Sequence, residues 1–170
     1  SVVIPVYRST DSIRIIAAKL SEIFIESNKT FEVIFVNDCH DFLPTSEVLQ
    51  ELVINMSDRV RSITMRKNYG QQFALIAGLS CAKGRYVVTM DDDLQHSPFE
   101  IIRMLEFIEK NNYDAVLAIP KKGEKKHHRF RNFGSWIISK IDQYFLDCPE
   151  DIIKSSFKII KHDIVRSMVR

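Results

Sequence analysis

Three consecutive aspartates, Asp91, Asp92 and Asp93, directly follow the run Tyr86-Val87-Val88-Thr89-Met90. On an extended chain, side chains at i and i+2 share a side, which puts Asp91 and Asp93 together and Asp92 opposite. Two carboxylates held this close repel. A hard divalent cation with oxygen ligands, Mg²⁺ or Mn²⁺, relieves the repulsion when it sits between them and a diphosphate. An acidic loop capping the next helix is the competing reading, but three acids straight after a strand-like run favour the metal.

Two further runs end in polar residues that a core would exclude. The first closes with Pro5-Val6-Tyr7-Arg8 and the second with Asn37-Asp38-Cys39-His40. In open parallel sheets ligands bind beyond the carboxyl ends of strands, so these ends and the aspartates would line one crevice for a nucleotide. Asp38 would accept from a ribose or base edge, or else make a turn. Between a strand and a helix, Arg66-Lys67-Asn68-Tyr69-Gly70-Gln71-Gln72 has a glycine that permits close approach and a helix N-terminus that favours an anion. No Walker-type loop or G-x-G-x-x-G fingerprint occurs, which disfavours a P-loop NTPase and a dinucleotide dehydrogenase. None of the five histidines has the spacing of a metal ligand.

The elements that would carry these residues alternate. Strands are predicted over Val2 to Val6, Phe31 to Asn37, Val60 to Met65, Tyr86 to Met90 and Ala115 to Ile119. Helices are predicted over Ser12 to Glu26, Thr45 to Met56, Gln71 to Ala82 and Pro98 to Lys110, the last with Ser97 as N-cap. The fold class is α/β, a mostly parallel sheet flanked by helices. A stripe of Phe133, Trp136, Ile137, Ile141, Tyr144 and Phe145 follows at helical spacing, then a strand-like run Phe157 to Ile160 and a last helical pattern.

The 170 residues are 45% hydrophobic and 27% charged, the balance of one compact soluble domain over 1–170. Such a chain hides roughly 70% of its unfolded surface and needs no disulfide or structural zinc. Cys39, Cys81 and Cys148 are widely spaced without a Cys-x-x-Cys pair, as expected for reduced thiols in a cytosolic compartment. No apolar run approaches the roughly 18 residues that span a bilayer. The net charge of +2 conceals a basic block, Lys121 to Arg131, with six Lys/Arg against one Glu, so the remainder sums to −3. That pattern suits phosphates or an anionic surface better than nucleic acid, which favours a basic face across a domain.

These motifs resemble the family-2 glycosyltransferases of GT-A (Rossmann-like) fold, and more closely the branch acting on polyprenyl and dolichol phosphates. SVVIPVY is similar to the family's opening strand, and Val36-Asn37-Asp38 to its nucleotide-binding aspartate. Arg66 to Leu79 is similar to its N-x-G-x-x-x-A-x-x-x-G segment, and Met90 to Pro98 to its D-x-D followed by L-Q-x-x-P. The resemblance implies a nucleotide-diphosphate sugar donor, a UDP-sugar favoured over a GDP-sugar, bound by Pro5, Tyr7, Asp38, Asn68, Gly70, Gln71, Asp91 and Asp92. It implies a Mg²⁺ or Mn²⁺ held through Asp91 and Asp93 with Gln95 nearby, and transfer with inversion. It also implies that the full-length protein continues beyond these residues into membrane-associated helices on the cytoplasmic side of the membrane, for cell-envelope synthesis. The departures are Arg8 where the family often has Asn, and Cys39-His40 where Gly-Ser usually follows the aspartate. Near the C-terminus, Asp151 stands one residue from where the family's acid is expected.

With a polyprenyl-phosphate acceptor the nucleophile is already anionic, so it needs positioning rather than a base. Arg129 and Arg131, with Lys125 and Lys126, are then candidates for the acceptor phosphate. A saccharide hydroxyl would instead require a carboxylate base, Asp151 or Glu150. A nucleotide-sugar-binding or membrane-binding module without catalysis is the third reading, and homo-oligomerisation stays open.

Overall fold

The computed structural model describes residues 1–119 and 155–169. Ser1–Leu117 and Ser156–Arg170 form one compact unit and Ala118–Ser155 a second; every element named below belongs to the first. The basic block, the aromatic stripe, Arg129, Arg131, Glu150 and Asp151 lie outside the described residues.

The elements run β1 (Val2–Val6), α1 (Asp11–Glu26), β2 (Val33–Asn37), α2 (Leu43–Asn55), β3 (Val60–Thr64), α3 (Gln71–Cys81), β4 (Tyr86–Thr89), α4 (Glu100–Asn111), β5 (Ala115–Leu117), β6 (Lys158–Lys161) and α5 (His162–Met168). They build one six-stranded sheet in the order β3-β2-β1-β4-β6-β5. The first four strands are parallel, whereas β6 runs antiparallel to both β4 and β5. All five residues of β1 and of β2 are buried, as expected for central strands covered on both faces. Edge strand β3 alternates between covered and open positions. Helices dock by apolar residues at helical spacing: Ile13, Ile16, Ala17, Leu20, Ile23 and Phe24 from α1, and Ile101, Met104 and Ile108 from α4.

Most boundaries fall within two residues of expectation, and two of the differences have a visible physical reason. β2 begins at Val33 because Phe31 stacks on Phe24 of α1, 4.8 Å between ring centroids, instead of joining the ladder. Ser97 does not cap α4. Its carbonyl accepts the Glu100 amide at 3.1 Å and that of Pro98 accepts Ile101 at 3.0 Å, so a turn through Pro98 and Phe99 leads into the helix.

Pro5 sits in the middle of the sheet, where a missing N–H normally breaks a ladder. Ser1 and Val3 carbonyls accept Val88 and Met90 amides at 2.7 and 3.2 Å, so residues 1, 3 and 5 face β4. Pro5 has no N–H with which to carry that ladder onward. β1 and β4 part there, while β1 and β2 stay paired to Val6 and Asn37. This gap in the ladder lies at the carboxyl edge, immediately before Asp91, and the Tyr7 amide and the Ser9 hydroxyl reach Asp92 across it.

Helix α3 lies over β1 and β2 by small residues. Ala74 and Gly78 are buried, and a Cβ on Gly78 would collide with Val3 Cγ1 and come within 2.9 Å of Val36 Cγ2. Gly78→Ala is therefore expected to destabilise the chain by about 1–3 kcal/mol in urea titration, as overpacking does. A gain of up to about 1 kcal/mol, the ordinary result of replacing a helical glycine by alanine, would contradict the close contact.

Candidate functional site

Four carboxyl-edge segments and the start of β6 meet around the gap. At the end of β2, Asn37 Oδ1 accepts the Cys39 amide at 3.0 Å, which turns the chain and sets Asp38 beneath the β3–α3 loop. Buried Asp38 then accepts the Tyr69 amide at 2.9 Å on Oδ1 and the Gly70 amide at 2.7 Å on Oδ2. Asn68 Oδ1 shares the Gly70 amide at 2.9 Å. Gly70 has φ +90° and opens α3 from a conformation that L side chains rarely adopt. The Asn-x-Gly spacing thus has a local cause: the aspartate, the asparagine and the glycine together bend this loop over the strand ends.

The aspartates after β4 diverge. Asp91 accepts the Gln71 side-chain amide at 2.6 Å on Oδ1 and the Ser156 hydroxyl at 2.6 Å on Oδ2. Ser156 is in turn held by its carbonyl, which accepts the Thr89 hydroxyl at 2.6 Å. Asp92 turns the other way, and its Oδ2 accepts the Ser9 hydroxyl at 2.6 Å and, at 3.4 Å, the Tyr7 amide. Exposed Asp93 accepts the Gln95 amide at 3.0 Å, and Leu94 takes φ +60°. The chain therefore bends from Asp92 onward and is not extended through Asp93. This corrects the expectation that alternation alone would align Asp91 with Asp93. Gln95 meets Asp93 through its backbone.

Among the described residues, no ion pair involves Asp38, Asp91, Asp92 or Asp93. All their hydrogen bonds come from neutral groups. No set of three or more His, Cys, Asp or Glu side chains among the described residues is arranged to hold a metal by itself. Oxygen donors without a protein cation fit a Mg²⁺-like ion, which ordinarily takes only one or two carboxylates and completes its shell with water and phosphate oxygens. Asp91 and Asp93 are the residues that would hold it.

Of the residues read from sequence, Asn68, Gly70 and Asp38 come together, as do Gln71 and Asp91, and Tyr7 and Asp92. Pro5 is buried and shapes the gap rather than facing it. Tyr7 is half exposed beside it. Ser9 and Ser156 were not foreseen; lone serines carry no spacing signal, and Ser156 reaches Asp91 only because β6 lies beside β4. A separate cavity of about 490 Å³ lies at the opposite end of β4 near Arg85 and Tyr86. Its Lys161 and His162 are already bonded, to Asn112 and Asp114 and to the Gly84 carbonyl.

Burial pushes the Asp92 carboxyl above its ordinary 3.8, against the bonds from Ser9 and Tyr7 that lower it. A carboxyl that holds its proton more tightly when folded costs stability on ionising. The cost is absent below 3.8, grows as pH rises through the interval up to the raised value, and is complete above it. Asp92→Asn keeps an oxygen for Ser9 and removes the ionisation. Its melting temperature relative to the unaltered chain is expected to improve between about pH 3 and about pH 7; a difference independent of pH would contradict the assignment.

Residues 1–168 match the family described as Glycosyl transferase family 2. The undecaprenyl-phosphate 4-deoxy-4-formamido-L-arabinose transferase of Edwardsiella ictaluri (strain 93-146) is 33% identical over 143 residues, 84% of this chain and 43% of that protein. The chain thus spans less than half the length of this curated relative. Mannosyltransferase PcManGT from Pyrobaculum calidifontis, solved with GDP-Man and Mn²⁺, has a TM-score of 0.63 at 18% identity, covering 98% of this chain and 45% of that one. Glucosyl-3-phosphoglycerate synthase from Mycobacterium tuberculosis, solved with Mn²⁺, UDP-glucose and phosphoglyceric acid, has a TM-score of 0.65 at 15% identity, covering 96% and 56%. At these identities the solved structures speak for the GT-A fold alone.

Proposed function

The chain belongs to glycosyl transferase family 2, and from that premise we propose that its carboxyl-edge crevice moves a sugar from a nucleoside-diphosphate donor to a polyprenyl phosphate with inversion. The observation that carries this reading is the row of three aspartates beside the Pro5 gap, oriented by neutral donors and, among the described residues, paired with no protein cation. A divalent ion would supply the missing positive charge, and the diphosphate of a nucleotide would complete the ion's oxygen shell. The name of the Edwardsiella relative supports the lipid-phosphate acceptor.

The residues divide the work. Asp38, through Tyr69 and Gly70, holds the β3–α3 loop at the nucleotide side of the crevice. Gln71 and Ser156 orient Asp91, and Asp93 completes the acidic face. Bound there, Mg²⁺ or Mn²⁺ would offset charge on the departing diphosphate. Arg129 and Arg131 of the basic block are assigned the acceptor phosphate, in which a guanidinium can bind two oxygens at once. Asp151 is assigned the acid that precedes β6. An acceptor phosphate oxygen attacks the anomeric carbon from the side opposite the diphosphate; the new C–O bond forms as the bond to diphosphate breaks. No proton needs to be removed, since the nucleophile is already an anion. A polyprenyl-phosphate acceptor would put this chemistry at the cytoplasmic face of the membrane. Among the described residues, no helix is long and apolar enough to cross it.

Transfer of labelled sugar from UDP- or GDP-sugars to polyprenyl phosphate in detergent tests the reading. Asp93→Ala is expected to lower the rate by about 100-fold or more, the scale of losing a group that stabilises transition-state charge. Arg131→Ala is expected to raise the acceptor KM by roughly tenfold. Unchanged transfer in either variant, or transfer to soluble saccharides in place of the lipid, would overturn it.

A further inference from the structure

Arg8 follows Tyr7 at the exit of β1 and takes φ +55°, a left-handed conformation disfavoured for a side chain of this kind. Its guanidinium lies over two rings, 5.5 Å from the Tyr7 centroid and 5.9 Å from that of Phe42. Its Nε donates to Cys39 Sγ at 3.5 Å, and the Cys39 thiol donates to Asp41 Oδ1 at 3.0 Å. Two rings and a buried thiol therefore hold the group in place. Among the described residues, its terminal nitrogens Nη1 and Nη2 have no hydrogen-bond acceptor, and no carboxylate lies within ion-pair distance. Arg8 is exposed, so its outer donors face solvent, and a left-handed backbone with two rings and a thiol restraining the guanidinium orients those donors in advance for a ligand.

The place of Arg8 narrows the ligand. β1 and β2 stay paired to Val6 and Asn37, so Arg8 and Asp38 leave adjoining strands, and Cys39, which holds Arg8, is the residue after Asp38. The guanidinium thus borders the nucleotide side of the crevice, while Asp91 and Asp93 lie beyond the end of β4, across the Pro5 gap.

We propose that Arg8, which stands where the family often has Asn, reads the base of the donor nucleotide and selects guanine, in place of the uracil that the family resemblance favours; the inference rests on the donor-site reading above. Two parallel N–H groups of a guanidinium match two neighbouring acceptors. Guanine presents O6 and N7 side by side, whereas adenine sets an amino donor beside its N7. In uracil the N3–H donor separates the two carbonyl oxygens, so only one of them can be served at a time. Asp41 stays with the Cys39 thiol and leaves the outer donors to the ligand.

Calorimetric titration of the 170-residue chain with GDP, UDP and inorganic pyrophosphate, each with Mn²⁺, tests the assignment. GDP is expected to bind at least about tenfold more tightly than UDP. Arg8→Met and Arg8→Lys are expected to weaken GDP by roughly 10- to 100-fold and leave UDP and pyrophosphate within about twofold. Arg8→Asn suits the left-handed conformation and is expected to raise the melting temperature while losing the preference, which separates recognition from a structural role. UDP binding as tightly as GDP would overturn the inference. So would equal loss of GDP, UDP and pyrophosphate in the Arg8 variants, since that identifies a phosphate contact. GDP binding unaffected by Arg8 would leave the donor site standing and remove Arg8 from it. Binding of neither nucleotide by a chain with a native circular-dichroism spectrum would overturn the donor site and the role of Arg8 together.

Discussion

The β1–β4 ladder ends where Pro5 has no N–H to give, and the rest of the crevice depends on that ending. The strand order reverses between β1 and β4, the switch point at which an open α/β sheet has its crevice, and each backbone donor left there needs an acceptor. Placing proline on the side of β1 that faces β4 removes one donor and lets the strands separate without leaving it orphaned. On the other side β1 and β2 remain paired to their last residues. The sheet is thus tight where Asp38 must be fixed and open where Asp91 to Asp93 emerge.

Electrostatics then limits what can occupy the opening. Four carboxylates stand at this edge, and their hydrogen bonds come from hydroxyls, a side-chain amide and backbone N–H groups. Neutral donors orient a carboxylate without cancelling its charge. Desolvation of Asp92 shows the resulting cost, since its proton is held more tightly in the fold than in the open chain. A divalent ion offsets these charges without a buried lysine or arginine, and a diphosphate would share the ion with the carboxylates. Arg8, held by Cys39 and two rings, keeps its charge beside the end of β2, apart from the aspartates that follow β4.

Much of this arrangement was legible in the order of residues. Continuous apolar runs identified β1 and β2 because burial on both faces leaves no alternation, and helical spacing placed α1 and α4 to within a residue or two. The Asn68, Gly70, Ala74 and Gly78 pattern could be seen but not explained until the structure joined its two halves: a loop bent onto Asp38 and a helix face small enough to rest on Val3 and Val36. What stayed hidden depends on distant parts of the chain. The antiparallel insertion of β6 between β4 and β5 brings Ser156 to Asp91, a contact 65 residues apart in sequence. Alternation does not describe Asp93 because the chain leaves the extended conformation at Asp92, straight after β4 ends, and no local pattern announces that bend. Ser97 looked like a cap because its type and position suit one, yet the turn through Pro98 uses its carbonyl instead.

Electron paramagnetic resonance of Mn²⁺ added to the chain with and without a nucleoside diphosphate tests the central claim most directly. The expected result is loss of the free-ion signal only when chain and nucleotide are both present, beyond what nucleotide alone produces, and its return in Asp91→Asn and in Asp93→Ala. A signal unaffected by the chain, or a bound signal that survives both substitutions, would contradict the assignment of this acidic edge to metal-assisted donor binding.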